Sequence, residues 1–314
     1  MAQSQNLTET RGTISSTKRQ LLLHRTDQLI SRLTDYQVLK GKTAQMTELE
    51  ITTVCALVAE VFADEPIALD IKLEKPLYVL GDIFGQYGDL LRIFNFLGHP
   101  PAKRFLLLGN YVGRNDRSIE TISLLLCYKL RYPDSIFLIR GNHECEHISR
   151  FYGFYEECMK RFSRRLWRAF TSVFDFMPLV AFIEDKIFCT HSGLMPSVHF
   201  SGMTKQLEIK DFLSQMIPRP TDAVNNVIVR NILWCEPDVE CKMWDRNPAG
   251  VGYLYGTGPV DNFCERFGIQ QVREKPKDQA KAVTKLILEF SSTIVYPHQK
   301  LFVDLAILQI HMNF

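Results

Sequence analysis

No apolar run in the chain approaches the ~18 residues that a membrane-crossing helix needs. The opening Met1-Ala2-Gln3-Ser4-Gln5-Asn6 lacks the apolar core of a secretory signal. Charge of either sign is not in excess: 37 Lys and Arg against 35 Asp and Glu leave a formal +2. That balance removes bulk electrostatics as a reason to expect nucleic acid or an anionic membrane as a partner. No Cys-x-x-Cys pair occurs among the eight cysteines, 55, 127, 145, 158, 189, 235, 241 and 264. Without a secretory signal they read as reduced, mostly buried thiols of a cytoplasmic or nuclear protein. There is no internal repeat, and low complexity is confined to the first residues. A secreted, membrane or fibrous protein is thereby excluded. Of the 314 residues 46% are hydrophobic, 23% charged and 11% aromatic, enough apolar material for one large α/β domain.

Residues 1–19 are rich in Gln, Ser, Thr and Asn and read as a disordered leader, with the folded domain spanning 20–314. From Lys18 to Leu39, Leu22, Leu29, Ile30 and Leu33 recur at helical spacing. Thr47-Glu48-Leu49-Glu50 is a capped start for a second helix, with Leu49, Val54, Leu57, Val58, Val61 and Phe62 as its apolar stripe. Then a β-α-β-α-β pattern begins. Leu77-Tyr78-Val79-Leu80 is an apolar run stopped by Gly81-Asp82, Phe105-Leu106-Leu107-Leu108 by Gly109-Asn110, and Ile136-Phe137-Leu138-Ile139 by Arg140-Gly141-Asn142-His143. Helices fit between them, one closed by Gly98 and one running from Ile122 to Leu130. Right-handed crossovers make such a sheet parallel, and the carboxyl ends of its strands line the ligand crevice. Asp82, Asn110, Asn142 and His143 are therefore expected at one edge. A later strand, Lys186 to Cys189, is expected to deliver Thr190 and His191 in the same way. Near the end, Thr293 to Tyr296 and the alternating Leu301, Val303, Leu305 and Ile307 read as a hairpin in a second sheet packed on the first.

Asp, Asn and His at strand ends suit a divalent metal such as Mn, Fe or Zn, although a single Gly-Asp or Gly-Asn pair is ordinary turn chemistry. Sequence detail goes further. Gly81-Asp82-Ile83-Phe84-Gly85-Gln86-Tyr87, Leu108-Gly109-Asn110-Tyr111-Val112-Gly113-Arg114 and Leu138-Ile139-Arg140-Gly141-Asn142-His143-Glu144 resemble the three signature blocks of the phosphoprotein phosphatase family. Tyr152 to Cys158, Asp185 to Cys189 and Pro218 to Asp222 resemble its protein phosphatase 1 branch. The resemblance implies an α/β (α+β) fold, the calcineurin-like metallophosphoesterase two-sheet β-sandwich flanked by helices. It also implies hydrolysis of phosphoserine and phosphothreonine through two metals that activate a bridging water. By position it assigns metal-ligand places to Asp82, Asn110, Asn142 and His191, the general acid to His143 and a phosphate-holding role to Arg114. For partners it implies regulatory subunits or phosphoproteins. The subunits would pair with an apolar groove at Ile187, Leu301, Val303 and Leu305, with Ile269 as a further candidate and Glu184 and Asp185 as its acidic rim.

The chain departs from that pattern at several places. Phe84 stands where the family has a His ligand, Asn110 where it has the bridging Asp, Gly113 where it has the Asp behind the general acid, and Ala249 where it has a second Arg. The last His ligand falls near Lys275, and the family's Ser-Ala-Pro-Asn-Tyr loop is missing around Leu286 to Ser291. Two metals roughly 4 Å apart repel by ~4 kcal/mol per charge pair at an effective dielectric near 20, and bridging anions must offset this. Asp82 alone carries charge there. The sequence thus favours a catalytically impaired pseudophosphatase with no firmly bound cofactor, or at most one divalent metal. The alternative is an active metal-dependent serine/threonine phosphatase.

Overall fold

The computed structural model describes residues 16–196, 200–273 and 307–310. Strands β1 (Ala68–Ile71), β5 (Val180–Ile183), β6 (Ile187–Thr190) and β10 (Gln271–Arg273) form one sheet, in the order β1-β5-β6-β10. Strands β2 (Leu77–Leu80), β3 (Arg104–Leu107), β4 (Ile136–Leu138) and β11 (Ile307–Ile310) form a second, in the order β11-β2-β3-β4. The pairs β2–β3 and β3–β4 are parallel, as the crossover pattern requires. A small third sheet joins β7 (Glu236–Pro237), β9 (Tyr253–Tyr255) and β8 (Trp244–Arg246) in that order.

Side-chain alternation decides the layering. Leu77 and Val79 of β2 turn towards Leu69, Ile71, Ala181, Ile183 and Ile187, an apolar layer between the two large sheets. Tyr78 and Leu80, on the other face of β2, pack with helices α3 (Glu48–Asp64), α4 (Tyr87–Leu97), α5 (Ser118–Arg131) and α8 (Arg164–Phe174). Beyond β5 and β6, Val180, Phe182 and Phe188 meet α9 (Gln206–Met216), α10 (Val227–Trp234) and α11 (Thr257–Phe267). The order helix, sheet, sheet, helix is the fold class expected from the sequence.

Several local expectations shift. Helix α1 (Ser16–Leu33) begins inside the proposed leader, so 16–19 belong to a helix, while 1–15 lie outside the described residues. The stretch to Leu39 is not one helix, because Asp35 caps a separate turn, α2 (Tyr36–Leu39), by accepting from the N–H of Gln37. Thr47 does start α3 with a capping box: Glu50 N–H donates to Thr47 Oγ1 and Thr47 N–H to Glu50 Oε2. Leu49 leaves the stripe, however, being 71% exposed on the first turn. The expected terminal hairpin falls largely outside the described residues. Its described part, β11, runs antiparallel to β2 in the first-read sheet, not in a second one. β6 pairs antiparallel with β5 in the opposite sheet, so His191 reaches the crevice from across the sandwich.

Glu157, on α7 (Phe154–Arg161), accepts from the N–H groups of Ser118 and Ile119 and thereby caps α5, whose N-cap residue Arg117 makes no side-chain cap bond. Arg161 also reaches it at 2.8 Å, and the neighbouring Glu120 shares that arginine. Burial pushes the Glu157 carboxyl up to about 7 from 4.5. The folded chain therefore holds a proton that the unfolded chain releases between these values. Stability must fall as pH rises through that window. Urea midpoints at pH 5 and pH 7.5 should decrease for the wild type and decrease less for Glu157→Gln; parallel decreases would refute the assignment.

Candidate functional site

The crevice is built from loops that leave the carboxyl ends of β2, β3 and β4, with His191 following β6. Asp82 lies half-buried just after β2. Its neighbours Ile83 and Phe84 donate their N–H groups to the Asn110 carbonyl at 3.0 and 2.7 Å, which ties the β2 loop to the β3 loop. Phe84, Asn110 and Arg114 all have positive φ, at 47°, 56° and 65°. Such backbone is costly for a residue with a side chain and persists only where the surroundings impose it. Gly109 permits the close approach: a Cβ there would lie 2.5 Å from the Gly141 Cα and 2.8 Å from His191 Nδ1.

Glu144 holds these loops together. Its buried carboxylate accepts from the N–H groups of Asn110, Tyr111 and Gly141 at 2.7, 2.8 and 3.0 Å, and from Val112 at 3.3 Å. Desolvation nonetheless raises its carboxyl to about 7. Nothing in the local sequence marks this role beyond its place after Asn142 and His143.

His191 is fully buried, and its Nδ1 donates to the Leu108 carbonyl at 2.6 Å, since a carbonyl can only accept. Its Nε2 faces the Asn142 side-chain oxygen at 3.3 Å. An unprotonated Nε2 and an amide oxygen at that separation repel unless the amide is turned end for end or a cation lies beside both, whereas an Nε2–H would make the contact a hydrogen bond. The backbone-anchored histidine beside an amide oxygen is a donor arrangement that suits one cation. Asn142 and His191, with Asp82 from β2, would hold a divalent ion, which supplies polarisation of a phosphoryl oxygen when bound. Among the described residues a second ion finds no set of ligands. Phe84 offers no ligand atom, the Asn110 oxygen already accepts from the His143 N–H at 3.1 Å, and no cluster of three His, Cys, Asp or Glu forms among the described residues.

His143 and Arg114 come together around an aromatic ring. The Phe84 ring meets the His143 ring edge-on with centroids 4.8 Å apart, and Arg114 Cζ lies 4.5 Å from the Phe84 centroid. Tyr152 completes the group, 5.1 Å from His143 and 5.9 Å from the Arg114 guanidinium. Sequence reasoning missed Tyr152, whose only signal was its place in the Tyr-Gly-Phe-Tyr motif. His143 Nδ1 donates to the Val112 carbonyl at 3.0 Å, where a carboxylate partner would stabilise an imidazolium far better. Ala249 sits exposed in the turn between β8 and β9.

Of the residues expected to line a partner groove, Ile187 is 4% exposed and packs in the layer between the sheets, and Ile269 is buried with the cluster beyond β5 and β6. Leu301, Val303 and Leu305 lie outside the described residues, as do Lys275 and the segment around Leu286. The acidic rim is also neutralised: Asp185 pairs with Lys72 and Lys210, both at 3.0 Å, and Glu184 accepts from the Leu73 N–H. All eight cysteines are free, as expected, and burial raises the Cys145 and Cys235 thiols to about 12. No described helix is long and apolar enough to cross a membrane.

A two-sheet sandwich with Asp, Asn and His at its strand ends is the architecture of the calcineurin-like phosphoesterase fold. The chain belongs to the calcineurin-like phosphoesterase family, whose model matches residues 75–272, and the serine-threonine protein phosphatase N-terminal domain matches residues 26–72. A solved protein serine/threonine phosphatase from Saccharomyces cerevisiae, described as similar to human phosphatase PP5, is 25% identical with a TM-score of 0.69. The match covers 79% of this chain and 76% of that one. A cold-active protein-tyrosine phosphatase of a psychrophilic Shewanella is more distant, at 14% identity and a TM-score of 0.37 over 51% of this chain and 54% of that one.

Gly113 shows how far the pocket has adapted. Its φ is +91°, and a Cβ there would lie 2.6 Å from His143 Nδ1. Gly113→Asp should therefore displace the His143 ring and destabilise the fold by about 1–3 kcal/mol. A denaturation midpoint equal to that of the wild type would contradict this.

Proposed function

We propose that the chain is a pseudophosphatase: a serine/threonine-phosphatase-like protein that binds phosphoproteins or regulatory subunits and hydrolyses phosphate poorly or not at all. In this reading one phosphatase-like domain extends from about residue 20 to 314 and acts in the cytoplasm or nucleus, with no nucleic acid or membrane as partner. The observation that carries the reading is Phe84, in contact with both His143 and Arg114. A hydrolytic centre of this family needs a metal ligand there, and a phenyl ring supplies none. The neutral Asn110 removes the second bridging charge that would offset repulsion within a metal pair. His143 is left with a main-chain carbonyl behind it, so it is a weaker proton donor to a leaving serine oxygen. Arg114 remains exposed and able to meet phosphate oxygens.

The competing reading, an active phosphatase, draws on the cation-compatible pair of Asn142 and His191. Metal content of protein purified without chelator separates the two. At most one equivalent of Mn, Fe or Zn per chain is expected, with no hydrolysis of phosphoserine peptides in added Mn. Phe84→His alone should restore none, because Asn110, Gly113 and Ala249 remain. Two equivalents together with a hydrolysis rate that falls in His143→Ala would overturn the proposal.

A further inference from the structure

Loop 113–117, which borders the crevice, is fastened to α7 and to the turn that leads into it. Arg114 N–H donates to the Tyr152 carbonyl at 2.8 Å. Gly113 N–H donates to Ser118 Oγ at 3.0 Å, and that hydroxyl donates to the Asn115 carbonyl at 3.3 Å. The Asn115 side chain donates in turn to the Phe84 carbonyl at 2.8 Å, which carries the connection across to the β2 loop. Ser118 is itself held by Glu157, whose carboxylate accepts its N–H at 2.9 Å and that of Ile119 at 3.2 Å. Arg117, the N-cap residue of α5, turns its guanidinium instead to the Val38 and Lys42 carbonyls.

The charges around Glu157 do not balance. Its side chain is 7% exposed and that of Glu120 1%, and both share the guanidinium of Arg161. Arg161 gives Glu120 two donors at 2.7 Å and Glu157 one at 2.8 Å. Two buried acids against one base leave an uncompensated charge, which such a dyad relieves by keeping a proton. The neighbouring elements do not make up the difference. On α6 (Glu146–Phe151) and α8 the charged residues Glu146, His147, Arg150, Arg164, Arg165 and Arg168 are all exposed. Glu48 of α3 accepts from the Ser163 hydroxyl at 2.8 Å, and burial pushes the Cys158 thiol up, which keeps it neutral.

We propose that Glu120, Arg161 and Glu157 form a proton-operated latch on loop 113–117. With the proton in place the triad is neutral and holds Ser118, and through it the loop, against α7. When the proton passes to water, the extra buried charge is relieved only by solvation, which requires the start of α5 and the loop to move off Glu157. Burial first, then the Glu120 charge, push the Glu157 carboxyl up to about 7 from 4.5, so the latch works across neutral pH. A carboxyl that titrates higher in the closed form than in the solvated one favours opening as pH rises. The latch involves neither phosphate nor metal, and it holds or fails independently of the pseudophosphatase reading.

Hydrogen exchange of the full chain, followed by mass spectrometry and corrected for the intrinsic rate at each pH, tests it. Protection of peptides spanning residues 112–119 should fall about tenfold from pH 6 to pH 8. At both pH values these peptides should be at least about tenfold less protected than α10, because the loop opens without the rest of the domain. Glu157→Gln, a neutral isostere, should protect the loop equally at both pH values. Glu120→Gln keeps the Glu157 carboxyl and removes the excess acid, so the fall should persist and move to lower pH. Loop protection that is independent of pH in the wild type, or that falls equally in Glu157→Gln, would overturn the latch. Equal protection of the loop and α10 throughout, the mark of global unfolding, would overturn it as well.

Discussion

Four main-chain N–H groups, from Asn110, Tyr111, Val112 and Gly141, converge on the buried carboxylate of Glu144, and the geometry of the crevice follows from that convergence. Burying a carboxylate is costly, as its rise to about 7 records, and only the simultaneous donation by both loops makes it tolerable. Arg140 secures the same turn from behind, giving Nε–H to the Glu144 carbonyl and its other donors to the Thr221 carbonyl and Asp175. With the two loops so joined, Asn110 can accept from His143, and Gly109 lets the His191 ring approach. None of these contacts needs a metal ion. The strand-end frame is a property of the protein alone.

Within that frame Phe84 donates its N–H to the Asn110 carbonyl, and its ring contacts His143 and Arg114. Gly113 lets the His143 ring settle against the Val112 carbonyl, a position that a Cβ would close. Chemistry at the phosphate is separable from the fold because the fold is held by main-chain donors and the apolar layer between the sheets.

The same logic reaches the far side of the sandwich. Asp70, Lys72, Asp185 and Lys210 form a closed ring of alternating charges across β1, the β5–β6 turn and α9. Exposed pairs of this kind contribute little stability singly, but here each acid faces two lysines. Their negative charge is balanced locally by the two lysines.

By itself the sequence determined the β-α-β-α-β order, the parallel sheet and the arrival of Asp82, Asn110, Asn142 and His143 at one edge. These follow from local signals: short apolar runs ended by glycine and a polar residue, and the obligatory hand of the crossover. It also marked the capping box at Thr47 and the positions where family residues are replaced. It misplaced His191, because an apolar strand does not say which sheet it joins, and it kept Leu49 in the core, because periodicity does not reveal which turn of a helix overhangs solvent. Only the tertiary structure decided that Phe84 meets both His143 and Arg114, that Tyr152 joins them and that Glu144 receives four N–H groups. Most of those contacts join residues 30 to 59 positions apart through loops with positive φ, and such geometry is set by long-range packing that no local pattern encodes.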